Sequence, residues 1–541
     1  MRQRILAIAL SLGLVGTTLP APARAGNDEL GDGHKIKHVL LISVDGLHAL
    51  DVANYVAAHP GSALAELSSH GITYSNARTP ANSDSFPGLL ALVTGGSPIS
   101  HGLFYDVSYN RSIFDPTNTT CSGQVGNMQV FDESVDKYSG TPPVSLNVID
   151  PMALPNHLDA DGNCVRLFPH QAMKSNTIFE VVKANGGHTA WADKHPAYDL
   201  VNGPSGKGVD DLYTPEITNF NGFDNTVSVV CTVENDQKKV QGILNEIKGL
   251  KHDGTPGTGT PTVFGMNFQG VSVGQKLSTD NAAGLCADDT AFTGKLGGYK
   301  DGAGTPTDVL SYALEQTDAA LGSMIRALKA RHIYDSTLFI VSAKHGQSPI
   351  NPTKINKPGH FADLVAALPD AATNPGAIAI ANANACSKGA CGFVQDDDIA
   401  LIWLEDQSKT AAAADYLNAN AKALFIDEVL AGHEINLKFH SPLTDAATPD
   451  ILVQPVYGTV YTTSKAKNAE HGGFSFGDTN VGLIVANPDL DGRVVKTPVA
   501  TSQVAASILK ALGIDPSELQ AVRREGTPVL PFLFSGDDHD R

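Results

Sequence analysis

One hydroxyl, one carboxylate and two imidazoles in this chain stand where apolar runs meet glycine turns. The hydroxyl is Ser85, in Ser83-Asp84-Ser85-Phe86-Pro87-Gly88, ahead of the apolar stretch 89–93 and Thr94-Gly95-Gly96. The carboxylate is Asp45, which follows Val39-Leu40-Leu41-Ile42-Ser43-Val44 and precedes Gly46. The imidazoles are His345, after the run 338–342 and Ala343-Lys344, and His471, in His471-Gly472-Gly473 ahead of the run 481–485. A serine hydroxyl is a weak nucleophile at neutral pH and needs a neighbouring base or cation to act. Imidazole and carboxylate supply either a base or metal ligands. The pattern points to a hydrolytic site with a hydroxyl nucleophile.

Such residues need elements that bring them together. Strand-like apolar runs alternate with helix-like segments, which predicts an α/β fold with a central, mostly parallel sheet and helices on both faces. Ligands of such sheets bind in the crevice outside the carboxyl ends of the strands. Helices are expected over 51–69, with Val52, Tyr55, Val56, Leu64 and Leu67 on one face, and over 89–94, 176–184, 307–330 and 501–512. Segments 107–171 and 351–449 read as insertions that would form a cap. The acidic tail Asp537-Asp538-His539-Asp540 reads as solvated.

The 541 residues suffice for one large domain with insertions. Arg2 and Arg4, the apolar segment 5–15 and Ala23-Arg24-Ala25 read as a secretory signal over 1–25, cleaved before Gly26 to leave a domain over 26–541. That segment is too short to span a bilayer, and no later run is long enough. The expectation is a soluble protein, secreted or periplasmic. Removing the three arginines of the signal takes the net charge from −19 to −22. A chain so acidic has no basic footprint for nucleic acid. An anionic substrate would need a local positive centre against that background.

Six cysteines fit an oxidising compartment and allow fifteen pairings. Cys386 and Cys391 suggest a local loop-tip disulfide; Cys121 with Cys164 and Cys231 with Cys286 are the sequential assignments for the rest. No cysteine cluster suggests a thiolate metal site.

Val44-Asp45-Gly46, Ser85-Phe86-Pro87, Leu92-Val93-Thr94-Gly95 with Ser100-His101-Gly102, Lys344-His345-Gly346 and Glu470-His471-Gly472-Gly473 occur in order along the chain. In these segments, and in the late helix-like stretch 505–514, the chain resembles the type I phosphodiesterase/nucleotide pyrophosphatase branch of the alkaline phosphatase superfamily. The resemblance implies an alkaline-phosphatase-like fold and hydrolysis of a phosphodiester or nucleotide-type ester. It implies a serine or threonine nucleophile, a phospho-enzyme intermediate and two zinc-type ions. It places Ser85 at the nucleophile and Asp45, Ser85, His345 and His471 at metal-ligand positions.

Other positions depart from the family's pattern. Lys344 stands where the family has Asp. Gln269 and Val273 fall at the positions of an Asp and a His, and Asp106 at that of a phosphate-contacting Asn. The ligand count then predicts one tightly bound divalent ion at most, Zn by donor type. The Lys344 ammonium could assume part of a cation's role, since opposite charges about 4 Å apart gain on the order of 4 kcal/mol at an effective dielectric near 20. A buried lysine can also act as a base, so Ser85 with Lys344 is a candidate nucleophile–base pair. The loop Trp191-Ala192-Asp193-Lys194-His195-Pro196-Ala197-Tyr198-Asp199 falls where the family contributes a substrate-facing segment, and Asp193 or His195 could supply further ligands. Asp106, Lys194, His195 and Gln269 are the substrate-contacting candidates, for a small anionic phosphoester. Asp318 resembles a structural carboxylate of the superfamily. Two functions remain open: a phosphoester hydrolase, or a non-catalytic binding protein on a decayed metallohydrolase scaffold.

Overall fold

The computed structural model describes residues 30, 36–129, 135–218, 222–280, 286, 289–383, 386 and 391–534. The proposed signal 1–25 and the acidic tail lie outside the described residues.

Eight strands build the central sheet, and four more between the sixth and the last two build a second. In chain order these are β1 His38–Val44, β2 Gly71–Tyr74, β3 Thr189–Ala192, β4 Asp211–Tyr213, β5 Val263–Phe268, β6 Thr337–Ser342, β7 Phe393–Asp396, β8 Ala400–Trp403, β9 Ile426–Ala431, β10 Ile451–Pro455, β11 Ile484–Ala486 and β12 Arg493–Val495. The central order is β4-β3-β5-β1-β6-β11-β2-β12. Its neighbours pair in parallel except at β11, which runs antiparallel to both β6 and β2. The middle strands are buried along nearly their whole length, which explains their continuous apolar runs: a parallel sheet is covered on both faces.

The register decides which residues meet. Leu41 lies level with Gly265 on one side and Ile340 on the other, and Gly265 lies level with Trp191. The carboxyl ends of β3, β5, β1 and β6 therefore stand side by side. Asp193 to His195, Asn267 and Gln269, Asp45, and Lys344 with His345 all emerge along one edge. His471 arrives differently. It precedes β11, and because β11 is antiparallel its entrance lies at the edge where the parallel strands exit.

Two expectations differ in detail. The periodicity over 51–69 is carried by two helices, Ala49–Ala58 and Ala63–Ser69. The chain breaks at His59-Pro60-Gly61, and Ser62 caps the second helix by accepting from the Ala65 amide. Asp318 completes that cap, accepting from Ala63 and Leu64 amides at 3.1 and 2.8 Å, a structural role as expected. Segment 351–449 is more than a cap. It forms most of the second, antiparallel sheet, ordered β7-β8-β10-β9, whose strand β10 runs on to Pro455. That sheet has its own apolar core around Ile402, Leu417 and Val453. Segment 107–171 holds three short hairpin-like pairings. The disulfides are Cys121–Cys164, Cys231–Cys286 and Cys386–Cys391, the expected pairings.

Candidate active site

Ser85 opens the buried helix Ser85–Thr94. Asp84 caps it, its Oδ2 accepting from the Phe86 amide at 3.2 Å. The Ser85 hydroxyl thus stands at a helix amino end, where the peptide dipoles favour negative charge. The helix approaches the β6 end so closely that a Cβ on Gly88 would lie 1.9 Å from the Lys344 carbonyl oxygen. Only glycine permits that approach. The Thr79 hydroxyl donates to the same carbonyl at 2.6 Å, and the Ser83 hydroxyl donates to Gly473 O at 2.8 Å, tying the serine loop to both histidine loops.

Two ammonium groups surround Asp45 and Ser85. Lys194 Nζ donates to Ser85 Oγ at 3.1 Å and to Asp45 Oδ2 at 3.3 Å. Lys344 Nζ donates to Asp193 Oδ1 at 2.9 Å and lies 4.0 Å from Asp45 Oδ2. It also sits 4.0 Å from the centre of the Tyr198 ring, a cation–π contact. Burial pushes the Lys344 ammonium below its usual range, against the opposing pull of Asp193 and Asp45. Asn267 Nδ2 donates to Asp45 Oδ2 at 3.2 Å. Asp193 is fixed in turn by Trp191 Nε1 at 3.0 Å.

The imidazoles complete the centre. His345 donates through Nδ1 to Gly346 O at 2.8 Å, which places its proton there and leaves Nε2 as an acceptor. Ser85 Oγ stands 3.3 Å from that Nε2. Burial holds the His345 pKa at about 4, so the ring is neutral at pH 7. The His471 ring packs against it with centroids 3.8 Å apart, and His471 Nδ1 lies 3.3 Å from Asp84 Oδ1. Burial, then the His345 ring and nearby lysines, push His471 well below its usual range.

A cavity of about 660 Å³ opens beside this centre. All four substrate-contacting candidates, Asp106, Lys194, His195 and Gln269, line it together with His471. Lys276, Lys465 and Lys467 add basic groups in an otherwise acidic chain. Lys276 and Lys467 are held by buried Glu470 at 2.8 and 2.7 Å. In its wall, His195 Nδ1 meets Glu216 at 2.7 Å, and Asp136 completes a group whose ligand atoms lie within 4.8 Å of one another. Burial and the neighbouring Glu216 raise Asp136 to about 9; burial also pushes Glu216 up, but His195 and Asp136 outweigh it and hold Glu216 at about 2.

The structure brings some of the expected residues together and separates others. Asp45, Ser85 and His345 do converge. The lysine beside Ser85 is Lys194 rather than Lys344, whose ammonium is turned to Asp193. The expected ligands Asp45, Ser85, His345 and His471 do not fit a metal pair. Lys194 already donates to Asp45 Oδ2 and Ser85 Oγ, Asn267 donates to the same carboxylate, and Lys344 brings a second ammonium to 4.0 Å from it. Gln269 is an amide 3.4 Å from Ser272 Oγ, and Val273 is a buried apolar residue. Among the described residues, the group with three convergent metal-type ligands is Asp136, His195 and Glu216. Sequence reasoning missed Asp84, Asn267, Tyr198, Asp136 and Glu216. Asp84 carried a signal, as a cap residue beside the nucleophile; Asn267 and Tyr198 lie in segments already singled out around Gln269 and His195, while Asp136 and Glu216 come from sequence-distant segments with no signal.

Fold and site together define a phosphoester hydrolase of alkaline-phosphatase-like architecture. The family profile described as type I phosphodiesterase / nucleotide pyrophosphatase matches residues 39–199 and 216–476, and the chain belongs to that family. No curated protein matches the chain. Among solved structures, it is similar to inactive murine ectonucleotide pyrophosphatase / phosphodiesterase 5 in complex with AMP, at 14% identity and a TM-score of 0.51 over 89% of this chain and 96% of that one. Wild-type alkaline phosphatase PafA aligns with the same coverage and TM-score at 11% identity. Phosphonoacetate hydrolase from Sinorhizobium meliloti, in complex with phosphonoacetate, aligns at 14% identity and a TM-score of 0.50, over 88% and 96% of the two chains.

Proposed function

We propose that this protein hydrolyses a small anionic phosphodiester or nucleotide-type ester through Ser85. The observation that carries the reading is the pair of contacts on Ser85 Oγ: a neutral imidazole nitrogen at 3.3 Å and an ammonium at 3.1 Å. His345 Nε2 accepts the hydroxyl proton as Oγ attacks phosphorus. The bond to the leaving alcohol breaks, and the alcohol takes the proton back from His345. Lys194 donates to the oxygen that becomes negative, and the helix amino end favours the same charge. Water then attacks the phosphoserine, giving its proton to His345, and Ser85 recovers it as the phosphate leaves. Asp45 orients Lys194, and Asp193 orients Lys344.

The cavity wall carries four lysines, Lys194, Lys276, Lys465 and Lys467, against three aspartates, Asp106, Asp224 and Asp280, and the lysines are the groups an anionic substrate would meet. A single divalent ion at most, Zn by donor type, belongs to the reading; Asp136, His195 and Glu216 are the residues that would hold it, and it would supply local positive charge to the cavity wall. Secretion or periplasmic location is supported by the three disulfides. Domain boundaries at 26–541 remain part of the reading.

Bis(p-nitrophenyl) phosphate turnover tests it. We expect Ser85→Ala to lower turnover at least about a thousandfold, because covalent catalysis loses its attacking atom. Near-normal activity in Ser85→Ala would rule out the covalent route. No turnover of any phosphoester by the unaltered protein would favour the alternative of a binding protein.

A further inference from the structure

We infer that the paired ammonium groups of Lys194 and Lys344 form a metal-free oxyanion site at Asp45 and Ser85 that binds the phosphoryl group. The inference rests on the proposed phosphoester reading for its substrate, but its geometry stands alone. Both side chains are buried, at 6% and 0% exposure. They leave the carboxyl ends of β3 and β6, which lie on opposite sides of β1, so they reach Asp45 from two directions. Each is held in place by an acid: Lys194 by Asp45, and Lys344 by Asp193.

The charges already present oppose a bound cation. Two ammonium groups stand 3.3 and 4.0 Å from Asp45 Oδ2, and one of them, Lys194, is also in contact with the nucleophile. A divalent ion placed between Asp45 and Ser85 would meet the Lys194 ammonium already bridging them. Like charges at that range repel strongly in a buried site. An ammonium offers three donors and no acceptor, which suits the oxygens of a tetrahedral anion.

Orthovanadate binding to the chelator-stripped full-length protein, followed by calorimetry, tests this. We expect vanadate to bind without metal, and added zinc chloride to change its affinity less than about twofold. Lys194→Met and Lys344→Met should each weaken binding by about tenfold or more, the loss of one charge-assisted contact. Lys194→Arg should recover part of it. Removing Lys344 alone leaves Asp193 buried without its partner, so Lys344→Met with Asp193→Asn supplies a variant that keeps the site neutral if the single one fails to fold. Vanadate binding that requires zinc, or that survives both lysine substitutions, would overturn the inference. Metal-free vanadate binding through both lysines, in a protein that turns over no phosphoester, would uphold the inference and sink the hydrolase reading instead.

Discussion

Lys194 Nζ lies 3.1 Å from Ser85 Oγ, although the two residues are 109 positions apart. The contact makes a lysine from the end of β3 the immediate neighbour of the hydroxyl that opens a helix after β2. It also sets the first expectation. Lys194→Met should lower kcat about a hundredfold or more, by removing a donor aimed at developing negative charge. The effect should fall mainly on kcat, and steady-state kinetics separates it from a KM effect. A change confined to KM would mean that Lys194 only binds substrate.

The second expectation concerns pH. His345 acts as the base only when neutral, and its pKa is held at about 4 by burial. Activity should be present above that value and lost as the pH falls through it. A kcat/KM profile read from pH 3.5 upward checks this; an acid limb near 6.5 would remove His345 from the role. The same depression makes His345 cost stability in acid. The unfolded imidazole takes up a proton below about 6.5 and the folded one only below about 4, so stability falls across that window. His101, held at about 3 by burial, acts in the same direction.

Metal content gives the third. The unaltered protein should retain at most one divalent ion per chain after dialysis, as measured by elemental analysis. Lys344→Asp should raise that occupancy, since it restores a carboxylate beside Asp45 and His345. Unchanged occupancy would show that position 344 does not govern metal binding. Two ions in the unaltered protein would show that the lysines do not exclude them.

Gly88→Ala provides a packing test. The added Cβ would lie 1.9 Å from Lys344 O, so either the helix or the β6 end must move. We expect a loss of about 2–3 kcal/mol in denaturant unfolding, in the range of overpacking in a tight core. Turnover should fall with it, because the move separates Ser85 from His345. A variant as stable as the parent would show that the approach is loose.

Export is checked by N-terminal sequencing of the protein recovered outside the cytoplasm. The expected first residue is Gly26, after Ala23-Arg24-Ala25. A retained Met1 would contradict the cleavage.

The sequence by itself determined the parts whose physics is local. The apolar runs at 39–44 and 338–342 are strands buried on both faces, so composition alone marks them. Asp45 and His345 each precede a glycine at the end of such a run, and Ser85 stands just ahead of another apolar stretch, so they could be picked out before any contact was known. Only the tertiary structure decided what stands beside what. Strand order β3-β5-β1-β6 is a long-range pairing choice that hydrophobic periodicity does not encode. It put Lys194, two residues beyond a strand of four, against Ser85 and turned Lys344 toward Asp193. The antiparallel β11 brought His471 to the same edge. Asp136 comes from a hairpin in the inserted segment and Glu216 from the loop after β4, and only the packing of those two segments made them partners of His195. Side-chain chemistry depends on separations of a few ångströms, which in this chain were set by contacts between residues tens to hundreds of positions apart.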